Sequence, residues 1–136
     1  MLCPTLIYLP EITEILRRVP DVKALINITS DGLMNLSRVD NARVGFRIPE
    51  LPPVPEIFKL IQEYGSARTA EMFEVYNMGV GFCVVVGESD LGPVLSILEQ
   101  HRRKAWVIGK IIEDSTKGVY LRRQPLEGHN KRFREE

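Results

Sequence analysis

The sequence predicts an α+β domain, a mixed β-sheet covered by helices. Three observations lead there. Helical stripes and strand-like stretches follow one another irregularly, about five strands with four or five helices and no internal repeat. At least two strand pairs are adjacent along the chain. And 136 residues, 44% hydrophobic and 26% charged, suit one ordinary folded domain.

The elements follow in order. Residues 5–8 are short, β-branched and aromatic, an extended entry or brief strand. Pro10 opens a helix, where its missing N–H is tolerated, and Ile12, Ile15, Leu16 and Val19 form one apolar stripe before Pro20 stops it. Residues 22–29 read as a buried strand, 30–32 as a turn, 33–36 as a short helical piece and 42–48 as a strand with Val44, Phe46 and Ile48 on one face. Prolines make 51–55 a rigid connector. Ile57, Leu60, Ile61 and Tyr64 mark the next helix, with Gly65 at its C′ position, and a shorter helix runs from Thr69 to near Asn77. Residues 79–86 form the most apolar stretch, expected to be a central strand. Ser89 is a candidate N-cap for a helix striped by Leu91, Val94, Leu95 and Leu98, with His101, Arg102, Arg103 and Lys104 in its last turn. Strands at 105–112 and 118–121 are expected to be joined as a hairpin through 114–118. The core domain is thus expected over 1–122, with 123–136 a charged, loosely held tail.

Composition excludes several classes. Lysine plus arginine and aspartate plus glutamate each number 18, so no overall charge draws the chain to nucleic acid or an anionic membrane. Apolar runs are far shorter than a membrane span, and the first residues do not read as a signal peptide; the expectation is a soluble cytoplasmic domain. Cys3 and Cys83 are too few for a disulfide scaffold, and Cys83 reads as a small buried hydrophobe. There is no P-loop, zinc-protease motif or nucleophile elbow, and His101 and His129 read as solvated surface.

Two features carry chemistry. Thr29-Ser30-Asp31-Gly32 lies between a strand and a helical turn, where backbone N–H groups suit phosphate or carboxylate; Asn35 and Arg38 would add an amide and a guanidinium. The alternative is that Thr29, Ser30 or Asp31 merely caps the helix. Asn77-Met78-Gly79-Val80-Gly81 follows a helix, with Asn77 a candidate left-handed C-cap. Its glycines let something approach the backbone, a ligand or a packed helix.

These residues resemble a known family. The series from Glu71-Met72 through Asn77-Met78-Gly79-Val80-Gly81 is similar to a signature of phosphoribosylformylglycinamidine cyclo-ligase, or aminoimidazole ribonucleotide synthetase. Pro4-Thr5-x-Ile7-Tyr8, the stretch 24–32 with Asn35-Leu36-Ser37-Arg38, the helix from Ile57-Phe58 to Gly65, and Ala105-Trp106-Val107-Ile108-Gly109 resemble other family stretches in the same order. The resemblance spans about residues 2–121 and implies the fold of the carboxy-terminal domain of that superfamily. Ser30-Asp31 stands where the family has glycines, Ser37 where it has proline, and Asn27 where a histidine often sits.

Family members use ATP to phosphorylate the amide oxygen of formylglycinamidine ribonucleotide; a nitrogen then attacks, phosphate leaves and the imidazole of aminoimidazole ribonucleotide closes. The resemblance implies that Thr29, Ser30, Asp31, Gly32 and Asn35 line the substrate side, that Asn77, Gly79 and Gly81 shape the cleft wall, and that no catalytic side chain or metal ligand lies in this half. It implies ATP and magnesium bound mainly by an amino-terminal domain, a homodimer, and no turnover by this chain alone. A non-catalytic or regulatory module of the same fold, or a relative such as selenophosphate synthetase, thiamine-monophosphate kinase or the hydrogenase-maturation dehydratase, is the alternative.

Overall fold

The structure, a computed structural model, describes residues 5–41 and 43–135. Cys3, Pro4, Ala42 and Glu136 therefore lie outside the described residues. The chain divides into two compact units, one of Met1–Leu25 with Val84–Trp106 and one of Ile26–Cys83 with Val107–Glu136.

In the first unit, α1 (Leu9–Arg18) starts with proline in its first turn and ends at Val19 ahead of Pro20. Its stripe does what periodicity asks: Ile15 and Val19 are buried with Val94 and Ile97, and Ile12, Val22, Val84, Val86 and Leu98 pack around them. Leu16, also on the expected stripe, remains 53% exposed. The partner helix is Leu91–Gln100, with Pro93 in its first turn, where no donor is lost. Asp90 rather than Ser89 is its N-cap, without a side-chain cap bond, and His101 is its C-cap, so the basic residues follow the helix instead of lying in its last turn. Glu11 is buried and paired with Arg103, whose guanidinium also donates to the Ile7 carbonyl at 2.7 Å and lies 5.8 Å from the Tyr8 ring centre. Residues 5–8 hold no regular structure.

Strand β1 (Val22–Asn27) pairs with the strand Phe82–Val86, and each gives residues to both units. β1 stops two residues short of the expected end at 29.

The second unit holds a five-stranded mixed sheet. β2 is Val44–Ile48, β3 the strand Phe82–Val86 already described, β4 Lys110–Glu113, β5 Val119–Leu121, β6 Leu126–His129 and β7 Arg132–Glu135. The order is β4-β2-β5-β6-β7, with β2 antiparallel to β4 and parallel to β5. Alternation puts Phe46, Ile48, Val119, Leu121, Leu126 and Phe133 on one buried face. Arg47, Tyr120, Glu127 and Arg134 line up across the strands on the other. A 3-10 helix, Gly32–Arg38, buries Leu33, Met34 and Leu36, and α3 (Thr69–Val75) buries Ala70, Met72 and Phe73. Between them α2 (Glu56–Gly65) buries no residue at all; Ser66, not Gly65, takes the left-handed position that ends it. The final helix, Leu91–Gln100, is α4.

The α+β expectation holds, with helices against a mixed sheet. Four further expectations are corrected. The described residues form seven strands rather than five. The apolar stretch 79–86 is not a central strand: Met78 and Gly79 have positive φ, Val80 N–H bonds to Asn77 O at 2.9 Å, and only from Phe82 does the chain extend, pairing with β1. β4 covers only part of 105–112, and it forms no hairpin with β5, because β2 lies between them. The loop joining them is tied by Asp114 instead. Finally, the expected loose tail forms β6 and β7, because Leu126 and Phe133 supply the two buried side chains a short hairpin needs.

Candidate functional site

The two loops singled out from the sequence meet in the second unit. Ile28 N–H bonds to Gly81 O at 3.0 Å, so the end of β1 runs directly into the turn at 77–81. Gly32 closes the other side. Its N–H bonds to Thr29 O at 2.9 Å, and its φ is +52°. A Cβ there would strike the carbonyl oxygen of Phe73 and lie 2.7 Å from that of Tyr76, both at the end of α3. Glycine is required at this position by conformation and by a backbone approach at once.

Within the first loop, Thr29 and Ser30 are exposed and Asp31 is half-buried. Asp31 is the N-cap residue of the 3-10 helix, yet its side chain makes no cap bond; it pairs with Arg38. The capping alternative is therefore not what this carboxylate does, and Arg38 offsets the charge that would repel an anion. Asn35 is 1% exposed. Its Nδ2 donates to Gly32 O at 2.6 Å, and its Oδ1 accepts from Thr29 Oγ1 at 3.4 Å. It staples the loop from beneath, a role the sequence pattern did not indicate.

In the second loop, Asn77 Oδ1 accepts the Gly79 N–H at 3.0 Å, a local turn that holds the glycine. Asn77 is not the left-handed cap expected of it: Tyr76, in extended conformation, caps α3, and Met78 takes φ +49°. Gly79 has φ +93° and is exposed, and a Cβ there would come 2.6 Å from Pro55 Cδ. The 51–55 connector thus uses the space the glycine leaves. Gly81 is half-buried and engaged through its carbonyl. The sum is a composite of two main-chain loops with Thr29, Ser30 and Gly79 exposed.

Sequence reasoning passed over a second polar cluster. Asp114 Oδ1 accepts from Thr116 Oγ1 at 2.6 Å and Thr116 N–H at 2.7 Å, and its Oδ2 from Tyr120 OH at 2.8 Å and Gly118 N–H at 2.9 Å. These donors, the Thr116 hydroxyl foremost, hold its carboxyl well below the usual range. The only signal was the string Asp-Ser-Thr-Lys-Gly, a turn sequence. A cleft of about 400 Å³ opens beside it, lined by Arg47, Tyr120, Arg122 and Glu127 among others. Another of about 390 Å³, in the first unit, is lined by Leu95, Glu99, Arg102, Arg103, Lys104 and Ala105. Neither includes the residues of the two loops.

His101 Nε2 lies 2.6 Å from Glu14, whose carboxyl is lowered chiefly by that hydrogen bond and then by Arg18. His129 lies edge-on to Tyr120 with ring centres 5.6 Å apart. Cys83 is buried, which pushes its thiol up to about 12 and leaves it unreactive. Among the described residues no three His, Cys, Asp or Glu side chains gather to hold a metal ion.

Fold and loops together define an α+β domain in which two glycine-bearing turns meet at a surface that exposes Thr29, Ser30 and Gly79. Residues 4–122 match the family described as AIR synthase related protein, C-terminal domain, and the chain belongs to that family. It is 44% identical over 115 residues to a phosphoribosylformylglycinamidine cyclo-ligase of Methanococcus maripaludis (strain C5), covering 85% of this chain and 32% of that protein. Proteins of the same name from Caldicellulosiruptor bescii (41% over 125 residues, 90% of this chain and 36% of the relative) and Methanocaldococcus jannaschii (39% over 114 residues, 83% and 32%) are similar to it as well. The chain thus spans about a third of the length of the curated relatives it matches.

Proposed function

We propose that this chain is the C-terminal part of an ATP-dependent phosphoribosylformylglycinamidine cyclo-ligase, forming one wall of the cleft in which formylglycinamidine ribonucleotide closes to aminoimidazole ribonucleotide. The observation that carries the reading is the likeness, over 85% of the chain, to a protein bearing that name. The contact between the loops at Ile28 and Gly81 supports it further, because it gives the two expected ligand segments one shared surface.

In this reading Thr29, Ser30, Asp31 and Gly32 form the substrate side, and Asn35 holds that loop in shape from below. Asn77, Gly79 and Gly81 form the adjoining wall. Ring closure of this kind depends on holding reacting groups in line. Main-chain N–H groups orient an anionic substrate without a titratable side chain. In this reading ATP and magnesium are bound mainly by the remaining part of the enzyme, and Asp31 is engaged by Arg38. The N-terminal AIR synthetase domain is the partner, the complete enzyme is a homodimer, and its place is the cytoplasm.

The test is complementation. The purified chain shows no ATP-dependent ring closure, and joining it to the remaining part of the enzyme restores it. Closure by the chain alone would overturn the division of labour. Failure of the joined protein would favour a non-catalytic module of the same fold, the reading that Ser30 and Asp31, standing where the family has glycines, would then support.

A further inference from the structure

The family match stops at residue 122, and the structure continues. We propose that the β6–β7 hairpin is a positioning device for the two candidate loops, with Glu74 and Phe133 as its positioning residues. The inference rests on the assignment of those loops to the site.

The hairpin reaches both elements that carry the loops. β6 adds to β5 with Val119 opposite Gly128 and Leu121 opposite Leu126, and β7 then returns beside it. Phe133 is 5% exposed and lies at α3. Its backbone N–H donates to Glu74 Oε1 at 2.6 Å, and its ring meets that of Phe73 edge-on, with centres 6.5 Å apart. Phe73 and Tyr76 supply the carbonyls against which Gly32 is seated. One short path therefore runs from Phe133 through the end of α3 to Gly32. A second reaches the 3-10 helix that follows the first loop: a Cβ at Gly128 would lie 2.5 Å from Met34 Sδ. In a segment otherwise rich in charge, the two large apolar side chains, Leu126 and Phe133, are the ones buried. A solvated appendage has no use for that arrangement.

The two sides of the Glu74 contact are unequal. Removing the carboxylate leaves a half-buried N–H without an acceptor, whereas glutamine at 74 keeps a carbonyl oxygen in reach. Amide hydrogen exchange on the full chain reads the consequence. In Glu74→Ala and in Phe133→Ala, the amides of Ile28, Gly32, Tyr76 and Val80, all hydrogen-bonded in the intact protein, exchange roughly tenfold faster. Those of Val19 and His101, in the first unit, stay unchanged. Glu74→Gln keeps the protection, and it decides the matter if an alanine variant fails to fold. Faster exchange confined to residues 126–135, or spread equally over both units, overturns the proposal. In the joined enzyme, Glu74→Ala raises KM for formylglycinamidine ribonucleotide severalfold while kcat holds within about twofold, and Glu74→Gln restores it. An unchanged KM in an active enzyme overturns the link to the site. The exchange result does not depend on which reaction the site serves, so it fails or succeeds separately from the cyclo-ligase reading.

Discussion

At the scale of single residues, glycine and aspartate carry the argument. Gly32 combines a φ of +52° with two carbonyl oxygens where a side chain would go. Gly32→Ala meets both costs together, a strained conformation and displacement of α3, and should destabilise by about 2–4 kcal/mol. Urea denaturation measures this, and a loss under about 0.5 kcal/mol would show that α3 yields freely. Asp114 makes a prediction with a definite sign. Its carboxyl is lowered in the folded chain, so the unfolded chain binds the proton more readily as pH falls. The stability it contributes is full above the ordinary carboxylate pKa of about 4 and drains away below it. Asp114→Asn should therefore have a lower urea midpoint than the parent at pH 7, and the gap should narrow as pH drops from about 4 toward 2. A gap that stays constant with pH would mean that the hydrogen bonds do not depend on the charge.

At the scale of elements, the contrast between α1 and α2 is instructive. Both carry the i, i+3, i+4, i+7 pattern, and only α1 fully buries any of it, at Ile15 and Val19. Periodicity announces a helix with one apolar face; it does not say that this chain supplies the cover. Ile57 is 56% exposed, Leu60 48% and Tyr64 88%. Replacing Tyr64 by serine should change the unfolding free energy of the isolated chain by less than about 1 kcal/mol, since little area is lost from water-free contact. A larger drop in thermal midpoint, followed by circular dichroism, would contradict that exposure. The same limits explain what else was legible. Pro10 and Pro20 bracket α1 through backbone chemistry local to each proline, so its bounds could be read directly. The neighbours of β4 and β5 are a long-range matter: nothing local tells residues 110–121 that β2 inserts between them. The turn at Met78–Gly79 hid inside an apolar run because the positive φ falls on a methionine as well as a glycine. The hairpin Leu126–Glu135 hid because each strand has only four residues and one large buried side chain. Of the candidate site, the two loops were visible as glycine-bearing junctions. Their contact through Ile28 and Gly81, and the work of Asn35 as an internal staple, depend on tertiary neighbours and were not.

At the scale of the whole molecule, charge and surface act together. The chain carries 18 basic and 18 acidic side chains, a formal net charge of +0 and a pI near 6.7. Electrostatic repulsion between copies is then weakest near neutral pH. Each unit also leaves large apolar side chains in water: Ile7 at 73%, Leu9 at 71% and Trp106 at 52% in the first, Tyr64 at 88% and Val107 at 61% in the second. A chain spanning about a third of its relatives is the situation in which such side chains lack the cover a longer protein gives them. Sedimentation of the isolated chain should accordingly show concentration-dependent association, strongest between about pH 6 and 7 and weaker by pH 9, where deprotonation supplies net negative charge. Under the proposed cyclo-ligase reading, joining the remaining part of that enzyme should abolish the excess association and leave one defined oligomer. If the isolated chain instead sediments as a monomer at every pH, its exposed side chains are too scattered to drive contact.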